Sequence, residues 1–263
     1  MDLGLKDARV LVAASSRGLG RATARQFSRE GASVVVNGRD AAELEATASA
    51  IGQETGNRVF AAAGDLTVPD DVARVIEQAV HHLGGLDILV TNAGGPPPGS
   101  FETVALEAWE KAFHLNVMSA VLLIRGALPY LKQSDRAAIL TITSVSVKQP
   151  LDNLILSNSV RMAVAGLTKS LAFELGPDGI RVNSILPGWT RTERVTELMT
   201  DRAARQGITV EEAIGRQAAG APLGRMGEPE EFANVAVFLC SPAAGYVHGA
   251  MIPVEGGSIR TTL

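Results

Sequence analysis

Cysteine is nearly absent. Cys240 is the only one among 263 residues, so neither a disulfide framework nor a thiolate metal site can form within the chain. The four histidines, His81, His82, His114 and His248, fall at no metal-ligand spacing, and no metal is expected. Basic residues are not in excess: the net charge is −4 and the pI about 5.6, which leaves a nucleic-acid partner without electrostatic support. No uninterrupted apolar run approaches the roughly 18 residues of a membrane-spanning helix. The N-terminal MDLGLKDARV lacks an apolar signal-peptide segment. A cytoplasmic protein with no membrane partner is the expectation. Linkers, low-complexity tracts and internal repeats are missing as well. Tyrosine is scarce, with only Tyr130 and Tyr246 present.

What is abundant is apolar residues, at 46%, and glycine, at 27 positions. That supports one large domain over residues 1–263, with many tight turns. Short β-rich runs alternate with longer amphipathic stretches. Strands are predicted at 10–14, 33–36, 58–63, 86–90, 137–143, 180–186 and 251–254. Helices are predicted at 41–54, 67–83, 106–131 and around 160–171. Near-continuous apolar strands separated by helices describe an α/β fold, a parallel sheet covered on both faces. Ligands of such sheets bind at the carboxyl ends of the strands, where the strand order reverses.

The stretch Arg9–Phe27, RVLVAASSRGLGRATARQF, organises the rest. An apolar run stops at the loop Ser15-Ser16-Arg17-Gly18-Leu19-Gly20. A helical pattern with Leu19, Thr23 and Phe27 on one face follows. Strand, glycine turn and helix together present a helix N-terminus to a phosphate, and the glycines leave room for the ligand. Asp65, Asn92 and Pro187 each lie just after a predicted strand, so they fall on the same sheet edge. From Glu193 to about residue 222 the rhythm breaks. This segment is charged and helical in composition, and reads as a flap over the site, a surface insertion, or both.

Several motifs recur in a telling order: SSRGLG (Ser15–Gly20), GDL (Gly64–Leu66), TNAG (Thr91–Gly94), LNV (Leu115–Val117), ITSVS (Ile142–Ser146), the run Ala165–Thr192, GEPEEFANVAVFL (Gly227–Leu239) and VEGG (Val254–Gly257). Over essentially its whole length the chain resembles the short-chain dehydrogenases/reductases, in the manner of the 3-oxoacyl-acyl-carrier-protein reductases. The resemblance implies a Rossmann-type domain with a seven-stranded parallel sheet, assembled as a homodimer or homotetramer. The small residues along the Ala163–Leu175 helix suit close packing between subunits. It also implies hydride transfer between a nicotinamide cofactor and a small carbonyl or alcohol substrate.

By the same resemblance, Ser15, Arg17, Gly18, Leu19 and Gly20 form the cofactor loop. Asp65 and Leu66 meet the adenine, Asn92 and Gly94 form the turn at its ribose, and Pro187, Gly188 and Thr192 hold the nicotinamide amide. The family's Thr-Gly at the head of the loop is Ala13-Ala14 here, which is expected to weaken cofactor binding without abolishing it. Thr91 replaces the usual first asparagine of its motif. Charge indicates the cofactor type. NAD enzymes place an acid after the second strand; the matching residue here is Gly38, followed by Arg39. Arg39 and Arg17 suit a 2′-phosphate, favouring NADP(H) over NAD.

The catalytic pattern matches only in part. The family uses Asn, Ser and Tyr-x-x-x-Lys. Asn116 and Ser144 match, but Ser157 stands at the tyrosine position and Arg161 at the lysine position. Reassigning Tyr130 or Tyr246 would require moving a motif. A phenol titrates near 10 and can be shifted by a cation, whereas an alkanol starts far higher. Ser157 is therefore a hydrogen-bonding group rather than a proton donor. Arg161, on the same helix face, is a fixed cation suited to ribose hydroxyls. The pair also reads as purely structural. Lys148 and Asp152 fall on the loop after Ser144, and His114 points elsewhere on its helix. A Ser-His-Asp hydrolase reading fails, because there is no G-x-S-x-G elbow and no histidine near Ser144 in sequence.

The loop Gly95-Pro96-Pro97-Pro98-Gly99 and the flap would wall a substrate pocket, with Trp189 and Phe101 as candidate apolar contacts. Three readings follow. The favoured one is an NADP(H)-dependent oxidoreductase with an atypical catalytic site. The second is a non-catalytic nucleotide-binding relative serving as sensor, scaffold or oligomer partner. The third is a small-molecule site that has dropped the cofactor, for which Ala14 speaks.

Overall fold

Seven strands form one sheet in the computed structural model, which describes residues 1–262. They are β1 (Arg9–Val12), β2 (Ser33–Gly38), β3 (Val59–Ala63), β4 (Ile88–Thr91), β5 (Ala138–Ile142), β6 (Arg181–Pro187) and β7 (Met251–Val254). The order is β3-β2-β1-β4-β5-β6-β7, with every pair parallel. Chain order reverses between β1 and β4, so the cleft opens at their carboxyl ends.

Nine helices accompany the sheet among the described residues: α1 (Gly18–Arg29), α2 (Ala41–Thr55), α3 (Pro69–Leu83), α4 (Leu106–Phe113), α5 (Ser119–Leu131), α6 (Ile155–Leu175), α7 (Glu193–Gln206), α8 (Val210–Ala219) and α9 (Pro229–Cys240). Side-chain alternation in the strands divides the core. Val10, Val12, Val34 and Val36 face Phe27 of α1, Leu44 of α2 and Phe232 of α9. Leu11, Ala13, Val35 and Leu89 face Val75 of α3, Leu123 of α5 and Leu175 of α6. Both faces are dry, which is why the strands read as continuous apolar runs.

The predicted strands are all present, with ends shifted by a residue or two. Three differences have physical causes. β1 stops at Val12 because Ala14 turns into the left-handed region, φ 45°. α3 starts at Pro69 with no side-chain cap, because Thr67 serves the preceding turn instead: its N–H and hydroxyl donate to Asp65 Oδ1 at 2.9 and 2.8 Å. The helix predicted at 106–131 is continuous, but a π-helical segment at His114–Met118 interrupts its α geometry. The 106–131 helix is long and apolar enough to cross a membrane by length and composition. Polar residues such as Glu107, Glu110 and Lys111 interrupt it, so it holds no uninterrupted apolar run of that length. Here Leu123, Ile124, Ala127 and Leu131 pack into the core.

α7 and α8 make up the charged segment. Thr192 caps α7, and Thr209 and Glu212 form a capping box on α8. Met199, Ala203, Ala213 and Met226 give this segment its own small core, against which Trp189 packs. Phe101 is largely exposed.

Candidate active site

The loop after β1 is clamped from both neighbouring strands. The Ala14 N–H donates to Asn37 Oδ1 at 3.2 Å, and Asn92 Nδ2 donates to the Ala14 carbonyl at 3.1 Å. Asn37 is itself fixed, since its Nδ2 donates to the carbonyls of Ala62 and Gly64 at 3.0 and 3.3 Å. The Ser15 hydroxyl is buried, donates to the Val12 carbonyl at 2.6 Å and accepts the Asn37 N–H at 2.9 Å. Ser15 therefore shapes the loop from inside. Gly20 must be glycine, because a Cβ there would overlap the Ala14 carbonyl oxygen. The clamp by Asn37 has no counterpart in the sequence reading; a buried asparagine ending an apolar strand was its only signal.

α1 begins with neither a side-chain cap nor an acid in its first turn. Its first N–H groups and positive dipole end are thus left for an anion. Arg17 and Arg39 are exposed at this rim and make no ion pair among the described residues. Asp40, which follows Arg39, accepts the Glu43 N–H at 2.9 Å as the cap of α2. A side chain at Gly38 would press on Ser16, so an acid there would crowd the loop. Leu66 is buried behind Asp65. Gly94 is exposed, and a Cβ on it would meet nothing. Pro187 ends β6, Gly188 passes too close to Glu255 for a side chain, and Thr192 starts α7. The predicted cofactor residues thus share one sheet edge.

The predicted catalytic residues gather beside it. Asn116 lies within the π-helical segment, a geometry common at functional sites. Its Nδ2 donates to the Ala112 carbonyl at 3.1 Å. Its Oδ1 is buried without a hydrogen-bond partner among the described residues. That residue and Arg161 line a cavity of about 10 Å³ with Thr91, Asn92, Ala93 and Ser119. Ser144 follows β5, and its Oγ accepts the Ser146 N–H at 3.1 Å. On α6, Arg161 Nε donates to Ser157 Oγ at 3.1 Å, while Nη1 donates to the carbonyls of Thr143 at 3.0 Å and Ile142 at 3.4 Å. Arg161 is thus anchored to the carboxyl end of β5. Burial, and secondarily the positive charge of Arg194, pushes its pKa down to about 10.

No phenol lies here. Tyr130 packs with the α3–α5 core and Tyr246 is fully exposed. Lys148, Asp152 and His114 are exposed. Arg194, at the start of α7, donates Nη2 to the Pro96 carbonyl at 2.6 Å and so joins the flap to the proline loop. In sequence it is one charge among many, and only the chain's path shows that these segments meet. Among the described residues, no three of His, Cys, Asp and Glu are placed to hold a metal.

This arrangement matches known proteins over nearly all of its length. A family described as Enoyl-(Acyl carrier protein) reductase matches residues 13–258. Dehydrogenase/reductase SDR family member 4 of Sus scrofa is 34% identical over 249 residues, 94% of this chain and 86% of the relative. The chain belongs to the short-chain dehydrogenase/reductase family. Two solved members of that family superpose closely. The L-sorbose reductase of Gluconobacter frateurii, complexed with NADPH and L-sorbose, has a TM-score of 0.94 and 34% identity, covering 99% of this chain and 100% of that one. A short-chain oxidoreductase of Pseudomonas aeruginosa PAO1, NADPH-bound and described as containing an atypical catalytic center, has a TM-score of 0.89 and 33% identity, covering 98% and 99%.

Proposed function

We propose that this protein is an NADP(H)-dependent short-chain oxidoreductase acting on a carbonyl or alcohol substrate, with Ser157 and Arg161 working where the family has tyrosine and lysine. The observation that carries this is the Arg161–Ser157 pair, anchored to the carbonyl of Thr143 after β5, with Arg161 lining one cavity with Asn116 and Asn92.

The residues present fit the cofactor. Gly20 admits no side chain, Gly94 leaves open space, and two exposed guanidinium groups with no ion pair among the described residues flank the loop where a 2′-phosphate would lie. In this reading the rim residues Arg17, Gly18, Leu19 and Arg39 hold the phosphates, and Asp65, Leu66, Asn92 and Gly94 the adenosine. Pro187, Gly188 and Thr192 hold the amide. When bound, NADPH supplies a hydride to the carbonyl carbon.

The chain's own groups manage the oxygen. Arg161 donates into Ser157 Oγ, which leaves the hydroxyl hydrogen of Ser157 as a donor toward the substrate oxygen. Ser144 Oγ already accepts from Ser146, so its hydrogen is free to do the same. Arg161, titrating at about 10, keeps its proton at neutral pH, and its positive charge stabilises the developing alkoxide. The cavity of about 10 Å³ beside Asn116 Oδ1 has room for about one water. Asn116 would orient that water to give a proton to the alkoxide, the hydroxide left behind being reprotonated from bulk solvent. Exposed Leu106, Phe113, Met162 and Phe173 on α4 and α6 support a homodimer or homotetramer.

Two measurements on the purified protein test the proposal: separate titrations with NADPH and NADH, then NADPH oxidation against a panel of aldehydes and ketones. NADPH should bind at least ~10-fold more tightly than NADH, given the strength of charge-assisted contacts, and at least one carbonyl should be reduced. Binding of neither nucleotide would instead favour a site that has dropped the cofactor. NADPH binding with turnover only in Ser157→Tyr/Arg161→Lys would favour a non-catalytic nucleotide-binding relative, the reading that the missing phenol supports.

A further inference from the structure

We propose that Thr91 completes a one-water site with Arg161 and Asn116, and that it is a positioning residue for the proton this water delivers. The inference rests on the oxidoreductase reading and deepens its account of the same site. Thr91 ends β4 and is buried. Two residues earlier, Leu89 points to the face that packs on Leu123 of α5, so alternation along the strand sends the Thr91 side chain the same way. There it lines the cavity of about 10 Å³ together with Asn116 and Arg161. Three polar groups meet at this cavity without protein partners. Asn116 Oδ1 is buried and accepts no hydrogen bond among the described residues. Arg161 spends Nε on Ser157 and Nη1 on the carbonyls of Ile142 and Thr143, which leaves Nη2. The Thr91 hydroxyl makes no hydrogen bond among the described residues, although Thr91 is only 3% exposed. The other side-chain donors of the lining are committed: Asn92 Nδ2 to the Ala14 carbonyl, Asn116 Nδ2 to that of Ala112 and the Ser119 hydroxyl to that of Leu115.

These three groups match the valences of one water. A cavity of this volume admits about one, and a buried water needs roughly two to four polar partners. Arg161 Nη2 can only donate and Asn116 Oδ1 can only accept. A water between them therefore accepts from the arginine and donates one hydrogen to the asparagine. The Thr91 hydroxyl donates into the second lone pair. Three of the four tetrahedral directions of the water are then fixed, and its second hydrogen is the one left to transfer. The cavity is bounded by Thr91, Asn92 and Ala93 at the carboxyl end of β4 and by Ile142 at that of β5, on the sheet edge that carries the cofactor residues. In the step itself an O–H bond of the water breaks and its proton forms a new O–H bond at the substrate alkoxide. The electron pair stays on the hydroxide, which the charge of Arg161 stabilises until bulk solvent reprotonates it. Without the Thr91 hydroxyl the water keeps two partners and turns about them.

The test is Thr91→Val on the NADPH-loaded full chain. Valine keeps the shape and suits a strand, and the lost hydroxyl holds nothing else in the fold. With one reducible carbonyl as substrate, kcat should fall about three- to tenfold, the range of one neutral hydrogen bond, while KM and the NADPH Kd stay unchanged. Thr91→Ser should retain most of the wild-type rate. In an Asn116→Ala background Thr91→Val should cost nothing further, because the water has already lost its acceptor; a purely structural role for Thr91 predicts additive losses instead. An unchanged kcat in Thr91→Val, or additive losses, would overturn the inference while leaving the oxidoreductase reading intact. A crystal structure of the NADPH complex gives a readout that needs no turnover. It should show one ordered water within hydrogen-bond distance of Arg161 Nη2, Asn116 Oδ1 and Thr91 Oγ1, missing or displaced in Thr91→Val. A wild-type cavity without that water would overturn the site whatever the activity. If the wild type reduces no carbonyl, the oxidoreductase reading falls and the crystallographic water decides the site alone: present on all three groups it supports the site, absent it sinks it.

Discussion

Ala14→Gly should stabilise the protein, and the same change one residue earlier should destabilise it. Ala14 sits at φ 45°, where an L-residue costs roughly 1–2 kcal/mol that glycine does not. Glycine also loosens the unfolded chain, which offsets about 0.4–1 kcal/mol. The net gain is about 0.5–1 kcal/mol, a rise in Tm of roughly 1–4 °C for a domain of this size. Ala13 is fully buried in the core, and its N–H donates to the Val90 carbonyl at 2.9 Å. Losing its methyl removes about 0.8 kcal/mol of burial, and the flexibility of glycine adds about 0.5–1 kcal/mol. Ala13→Gly should therefore lower Tm by roughly 3–6 °C. Ala14 is held in its conformation by hydrogen bonds with Asn37 and Asn92 within the fold, so its strain is expected to oppose folding rather than binding. The NADPH Kd of Ala14→Gly should stay within about threefold of wild type. Scanning calorimetry and NADPH titration of both variants read these effects. A fall in Tm for Ala14→Gly comparable to that of Ala13→Gly would refute the strain argument. A tenfold tightening of NADPH would show that the strain acts on binding.

Three other outcomes follow from the same geometry. Arg39→Ala should weaken NADPH by roughly 10- to 100-fold, from the loss of one charge-assisted contact, and leave NADH nearly unchanged in parallel titrations. Asn116→Ala should lower kcat about 100-fold if the asparagine serves proton delivery, with the NADPH Kd little altered. Burial pushes the Asp87 carboxyl up, but hydrogen bonds from Arg9 and Ser134 and the Arg9 charge overcome this and hold it below the usual carboxylate range. Its contribution to stability is therefore complete above about pH 4 and is lost as pH falls through the lower folded value. Urea unfolding of Asp87→Asn should show a loss of about 2–3 kcal/mol at neutral pH and a flatter acid limb than wild type.

The fold was legible because its signals are local. Runs such as Leu86–Val90 and the glycine turn after β1 carry their own periodicity and turn chemistry. Sequence order then places their ends on one edge. The contents of the site were legible only as a list of residues. That Ser157 and Arg161 touch follows from i, i+4 spacing, but the bonds from Arg161 to Ile142 and Thr143 join α6 to β5 and need the packed sheet. The π-helical segment at Asn116 leaves no mark in an apolar pattern averaged over several turns. The left-handed turn at Ala14 was hidden for the opposite reason: alanine predicts ordinary dihedrals, and the clamps from β2 and β4 impose another conformation. Arg194 was one charge in a mixed helix until the flap folded onto Pro96.

The central claim is that a fixed arginine, rather than a phenol, manages the charge on the substrate oxygen. Its most direct test is the NADPH-dependent kcat of wild type and Arg161→Gln on one reducible carbonyl. The account predicts measurable wild-type turnover that falls about 100- to 1000-fold in the variant, the usual effect of removing one oxyanion donor. Equal rates in the two proteins, or a wild type inert toward a carbonyl that Ser157→Tyr/Arg161→Lys reduces, would contradict it.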